Sequence, residues 1–184
     1  MRRLAAAVVP ALCVASALAC SKTQDRKNED ERMAFRALDV GTAVPTYAAQ
    51  TITGDTVRVG GVEPPTVLNV WATWCVSCQE EMAALDSLKH RFASQGVRVI
   101  AVSVDKTDID RIRRFAETNH LDMTVAHDPS ASINQTFQVV GVPSTFVIGP
   151  DGKLIWRRTG NIIDVMPDVI NAVQKSLGNA KPGN

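Results

Sequence analysis

The sequence predicts an α/β sandwich built on a mixed β-sheet flanked by helices. Three observations carry that reading. A buried-type apolar run, Thr66–Trp71, passes directly into a helical repeat. A second run, Val97–Val104, is again followed by a helical pattern. Near the C-terminus two short strands flank Pro150-Asp151-Gly152 and lead into a last amphipathic helix. Alternating strands and helices imply parallel pairing through crossovers, and the late hairpin adds antiparallel strands.

Each element follows from local pattern. Tyr47–Ile52 and Thr56–Val59 flank Gly54-Asp55 and predict an N-terminal β-hairpin extension. Pro64-Pro65 breaks the chain before the strand at 66–71. From Cys75 to about Phe92, Cys78, Met82, Leu85, Leu88 and Phe92 recur every three or four residues, the spacing of one helix face. Gly96 ends that unit. Asp108–Asn119 reads as a helix with Ile109, Ile112 and Phe115 inward, Met123–Ala126 as a short strand, and Ser130–Phe137 as a short helix. Thr145–Ile148 and Leu154–Arg158 form the late hairpin. The last helix, Val165–Leu177, sets Met166, Ile170, Val173 and Leu177 on one face, with Gly178 suited to its C-terminal cap.

A chain of 184 residues, 45% of them hydrophobic, supports one sizeable core. The folded domain is expected at 41–178, with 179–184 a disordered tail. Residues 20–40 read as a charged, solvated tether, since Lys22 to Arg32 is too polar to bury. Residues 1–19 read as a signal peptide: Arg2 and Arg3 precede an apolar stretch of 16 residues, Leu4–Ala19, short for a membrane span. Ala17-Leu18-Ala19-Cys20 reads two ways. Ala17-x-Ala19 fits an ordinary signal peptidase, whereas small residues followed at once by cysteine resemble a bacterial lipobox with Cys20 lipidated. Lipidation is the preferred reading, although Ala17 stands where leucine is usual; a retained anchor or a soluble form are the alternatives. Net charge is +1, or −1 (18 basic, 19 acidic) after removal of the first 19 residues, so nothing favours nucleic acid as a partner.

Of four cysteines, Cys13 is lost on cleavage and Cys20 is consumed by lipid, leaving Cys75 and Cys78 as thiols. A bridge between them closes too small a loop to restrain the unfolded chain much, so the pair makes more sense as chemistry than as a staple. Trp71-Ala72-Thr73-Trp74-Cys75-Val76-Ser77-Cys78 sits where a buried strand becomes a helix. The first helical turn offers unpaired N–H groups and the positive end of the helix dipole. A sulfur there is favoured as thiolate, the attacking species in disulfide exchange. Cys75 is therefore expected to reach solvent and attack, and Cys78, one turn deeper, to resolve the mixed disulfide.

These residues resemble the thioredoxin superfamily, and more closely its TlpA/ResA-like (DsbE-like) branch of membrane-tethered thiol–disulfide oxidoreductases. The resemblance covers about Gly41 to Leu177. It rests on Trp74-Cys75-x-x-Cys78, on Val102-Ser103-Val104-Asp105, on Gly141-Val142-Pro143-Ser144-Thr145-Phe146 and on Asp151-Gly152-Lys153. It implies a thioredoxin-like sandwich and a cis Val142–Pro143 bond beside the cysteines, with the Val142 backbone free to pair with an extended substrate. It also implies that Glu81, three residues after Cys78, tunes the thiols or carries protons. Asn69 stands where thioredoxins carry a buried aspartate. Ser77 and Ala83 replace prolines common in relatives, which leaves the direction of electron flow open.

Trp74 is expected at the substrate surface and Trp71 in the core. The function implied is an exported reductase at the periplasmic face of a bacterial membrane, drawing electrons from a membrane donor and acting on cysteines of exported proteins such as apocytochrome c. An oxidase or isomerase on the same fold is the alternative. A Cu(I) chaperone is a third reading, with His127 its only plausible extra ligand. No cofactor or metal is expected, and a monomer is the default.

Overall fold

The computed structural model describes residues 38–178. The proposed signal peptide, lipidation site Cys20, most of the charged tether and the 179–184 tail lie outside the described residues. Leu38, assigned to the tether by composition, packs against the core.

Seven strands form one mixed sheet: β1 (Tyr47–Thr51), β2 (Thr56–Val59), β3 (Thr66–Trp71), β4 (Arg98–Ser103), β5 (Thr124–His127), β6 (Ser144–Ile148) and β7 (Leu154–Thr159). Their spatial order is β2-β1-β5-β4-β3-β6-β7. β3, β4 and β5 run parallel, and β1 and β6 add antiparallel strands on either side. The helices are α1 (Val76–Phe92), α2 (Ile109–Thr118), α3 (Ser132–Thr136) and α4 (Met166–Gly178). α1 crosses from β3 to β4 and α2 from β4 to β5, the connections that parallel neighbours require.

β3 is buried at every residue, as a central strand covered on both faces must be. Along α1, Cys78, Met82, Leu85, Leu88 and Phe92 are buried as their spacing predicts, and Glu81 is buried with them. Phe137 joins the hairpin to the core, with its ring 6.2 Å from Tyr47 and 5.4 Å from Phe146.

Two helix faces differ from the sequence reading. In α4 the buried residues are Val169, Ala172, Val173 and Ser176, while Met166, Ile170 and Leu177 are only partly covered. Weighting the larger side chains put the stripe one position off; small Ala172 and Ser176 let the helix approach closely. In α2, Ile112 and Ala116 are buried, and Phe115 lies at the edge against Trp71, ring centroids 4.9 Å apart.

The segment before β1 zips onto the late hairpin through Gly41 N–H to Leu154 O (2.7 Å), Val44 N–H to Gly152 O (2.9 Å) and Leu154 N–H to Thr42 O (2.9 Å). Gly152 also allows the Gly61 segment to come close. Its φ is +73°, and an added Cβ would lie 2.5 Å from the Gly61 carbonyl oxygen. Gly54 also has positive φ (+97°) but faces open space. Gly54→Ala should cost about 1 kcal/mol from backbone conformation alone, and Gly152→Ala roughly 2–4 kcal/mol because the backbone must also move. Chemical denaturation of both variants checks the difference; equal losses would overturn the steric account.

Candidate functional site: a cysteine pair at a helix start

The site lies at the C-terminal end of β3, where the chain must leave the sheet and begin α1. The linking residues 72–75 are tightly held. Thr73 donates to Asp105 through its N–H (2.8 Å to Oδ2) and its hydroxyl (2.7 Å to Oδ1). The Thr73 carbonyl accepts from Gln79 Nε2 at 2.6 Å. Asp105 is itself buried and takes a third bond from Ser103 Oγ at 2.6 Å. A carboxylate is tolerated in such a place only when donors surround it. Asp105 belongs to the quoted Val-Ser-Val-Asp run, but the sequence reading gave it no task. An acid just beyond a buried strand was the available signal, because it must find donors inside.

Cys75 is the N-cap of α1, in extended conformation (φ −90°, ψ 105°). Its Sγ accepts from Cys78 N–H at 3.2 Å and lies 3.4 Å from Ser77 Oγ. Sulfur thus takes the place an Asp or Ser oxygen usually takes at a helix start. The two sulfurs are bonded, with Cα atoms 5.2 Å apart. Cys75 is 8% exposed and Cys78 0%. The expectation that Cys75 reaches solvent is corrected to a narrow opening: in the disulfide, Cys78 and the surrounding loop cover most of it. Trp74, at 64% exposure, and Val76 flank the opening as exposed apolar surface. Trp71 is fully buried.

Val70 pairs with Ser144 across β3 and β6, so the next residue outward, Pro143, arrives at the sheet end that carries the cysteine loop. The Val142–Pro143 bond is cis. Pro143 is buried and Val142 half-buried. The Pro143 carbonyl accepts from Gly160 N–H at 2.8 Å, and no backbone hydrogen bond among the described residues engages Val142. The loop after β7 closes the other side, with Asn161 Nδ2 donating to Ser77 O at 2.9 Å.

Glu81 is fully buried beneath this surface. Its Oε1 accepts from Asn69 Nδ2 at 2.8 Å, and its Oε2 from Ile162 N–H at 2.9 Å. Burial pushes the carboxyl up to about 7; the bonds from Ile162 and Asn69 and the charge of Arg158 oppose that rise without cancelling it. Glu81 is a fully enclosed residue of α1. Its neighbour Glu80 is exposed.

His127 is part of β5, where its Nε2 lies 2.8 Å from the Asp105 carbonyl oxygen. Among the described residues, no group of three or more His, Cys, Asp or Glu is placed to hold a metal. His90 lies 3.2 Å from Asp86 on the exposed side of α1.

Comparison with known proteins agrees with this geometry. Residues 40–157 match the model of the AhpC/TSA family. The chain is 29% identical to the thiol–disulfide oxidoreductase ResA of Bacillus cereus over 159 residues, 86% of this chain and 88% of that one. It is 30% identical to ResA of Bacillus anthracis over 124 residues, 67% and 71% of the two chains. Among solved structures, a candidate thiol:disulfide interchange protein DsbE of Chlorobium tepidum superposes with TM-score 0.70 at 24% identity, covering 77% of this chain and all of that one. StoA of Bacillus subtilis superposes with TM-score 0.61 at 19% identity, covering 71% and 98%. At those identities the two structures speak for the fold alone. A cysteine pair at a helix start, a cis proline at the same sheet end and these relatives lead to one assignment: the chain belongs to the AhpC/TSA family and is a thioredoxin-fold thiol–disulfide oxidoreductase of the ResA type.

Proposed function

We propose that the protein is an exported disulfide reductase, held at the periplasmic face of a bacterial membrane through Cys20, that keeps cysteines of exported proteins reduced. One observation supports it above the others. The Cys75 sulfur caps α1 and takes the Cys78 N–H, while Cys78 is sealed beneath it. Such placement favours a thiolate on Cys75 and confines Cys78 to the resolving step.

In the reaction, the Cys75 thiolate attacks a substrate disulfide. A mixed disulfide forms and one substrate sulfur leaves as thiolate. Cys78 loses its proton to Glu81 and attacks Cys75, so the Cys75–Cys78 bond forms and the second substrate sulfur departs. The substrate gains two electrons and the enzyme pair loses them; a membrane dithiol donor restores the pair by the reverse exchange. Trp74 and the free Val142 backbone beside Pro143 would receive the extended substrate as an added strand. The family resemblance makes apocytochrome c before haem attachment the substrate class. Among the described residues no helix is long and apolar enough to cross a membrane; the Ala17-Leu18-Ala19-Cys20 run supports anchoring through a lipidated Cys20.

Cys78→Ser should trap a mixed disulfide on Cys75 that mass spectrometry identifies, whereas Cys75→Ser should trap none; equal trapping by both would reverse the assigned roles. A reduction potential well below about −200 mV supports reduction, and one near about −120 mV would make the protein an oxidase.

Glu81 makes stability depend on pH. Its folded value, about 7, lies above the ordinary 4.5, so its favourable contribution is complete below about pH 4.5 and is lost as pH rises through 7. The loss should approach about 3 kcal/mol. Denaturation from pH 4.5 to 8 should show wild type losing stability relative to Glu81→Gln. Parallel pH curves for the two proteins would refute a neutral-range Glu81.

A further inference from the structure

Asn69 makes an uneven set of contacts. It is fully buried in the centre of β3. Its Nδ2 donates twice, to Glu81 Oε1 at 2.8 Å and to Thr145 Oγ1 at 2.9 Å. Its Oδ1, equally buried, has no partner. An orphaned buried acceptor is costly, so this amide is half-satisfied although it is fully buried.

The contacts of Glu81 say what the unused oxygen is for. Oε2 accepts from the Ile162 N–H, a fixed backbone donor, so Oε1 is the oxygen whose side-chain partner can change when a proton arrives. Oε1 faces Asn69 Nδ2, also a donor. In the present arrangement a proton on Oε1 would meet a donor and not an acceptor. Turning the Asn69 amide over removes the conflict. Oδ1 then takes the place of Nδ2 and accepts from Glu81 Oε1–H. It also accepts from the Thr145 hydroxyl, which can donate as readily as it accepts. The two orientations exchange two donated bonds for two accepted ones, and each leaves one end of the amide unpaired, so neither is strongly favoured by the count of bonds.

We propose that Asn69 is a positioning residue that turns its side-chain amide over as Glu81 gains or loses its proton, so that a water-excluded carboxyl can accept the proton of Cys78 and release it. This rests on the reading of Glu81 as the proton acceptor in the resolving step. The surrounding elements contribute few other charges. Asn69, Thr145 and Arg158 stand in register on β3, β6 and β7. Arg158 favours the ionised carboxyl by its charge. The loop after β7 offers Ile162 N–H, and α1 offers Cys78 one turn earlier and Glu80, whose carboxylate lies 3.5 Å from Asn161 Nδ2. Cys78 drops out of any titration of the oxidised protein, because its sulfur is bonded to Cys75.

The test is an NMR pH titration of the oxidised full chain from pH 5 to 9, following the Glu81 carboxyl carbon and the Asn69 side-chain amide together. Both should move through one proton transition with the same midpoint. In Glu81→Gln, the Gln Nε2 donates where a protonated Oε1 would, so the Asn69 amide should hold its low-pH signature throughout. A Glu81 carbon that titrates beside a motionless Asn69 amide would overturn the inference alone. A Glu81 carbon that does not titrate would overturn the reading of Glu81 as well. Kinetics give an independent readout that does not depend on the spectrum. In folded Asn69→Ala, formation of the mixed disulfide should stay within twofold of wild type, while its resolution at pH 7 should slow at least tenfold. Equal slowing of both steps, or of neither, would assign Asn69 a structural role only.

Discussion

The clamp of Asp105 on Thr73 is the constraint from which the site follows. β3 and β4 run parallel and end together, so the chain leaving β3 is free to wander unless its first polar groups are fixed. Asp105, two residues beyond β4, fixes them by accepting the Thr73 N–H and hydroxyl, and Gln79 reaches back from α1 to hold the Thr73 carbonyl. With strand end and helix start tied at one residue, Cys75 has no alternative to the N-cap position. The dipole and the open N–H groups of α1 then fall on its sulfur for geometric reasons.

The two buried carboxylates of the site are treated in opposite ways. The Asp105 carboxylate receives three short bonds, two from Thr73 and one from Ser103, and its surroundings demand a fixed acceptor. Glu81 receives two, one of them from an amide whose other end is idle, and burial lifts its proton affinity to neutrality. One carboxylate holds the backbone still; the other can change state without disturbing it. Separating the tasks matters because a base that also anchored the loop would move the sulfurs whenever it titrated.

Much of this was legible in the residues. The strand 66–71, the apolar face of α1, the hairpins and the placement of Cys75 at the helix start with Cys78 one turn on follow from periodicity and from the chemistry of helix ends. Elements whose burial rests on large apolar side chains were read most directly. The misplaced stripe of α4 shows the limit, since Ala172 and Ser176 are buried by close approach and carry no hydropathy signal. Glu81 and Asp105 show another. Their burial depends on donors from residues far along the chain, Ile162 for one and Thr73 for the other, and no local window contains both partners.

The same reasoning explains why the replacement of an aspartate by Asn69 need not disable the site. A buried aspartate beside Glu81 would place two carboxylates within hydrogen-bond reach, where a shared proton raises the affinity of one and lowers that of the other. An amide in that position keeps the polar contact at 2.8 Å and removes the second charge. Glu81 is then left as a single carboxyl whose proton affinity is set by burial, Ile162 and Arg158, and not by a neighbour's titration. A carboxyl tuned to neutrality, placed one helical turn after Cys78, suits the proposed reaction, in which one proton leaves one thiol at a time.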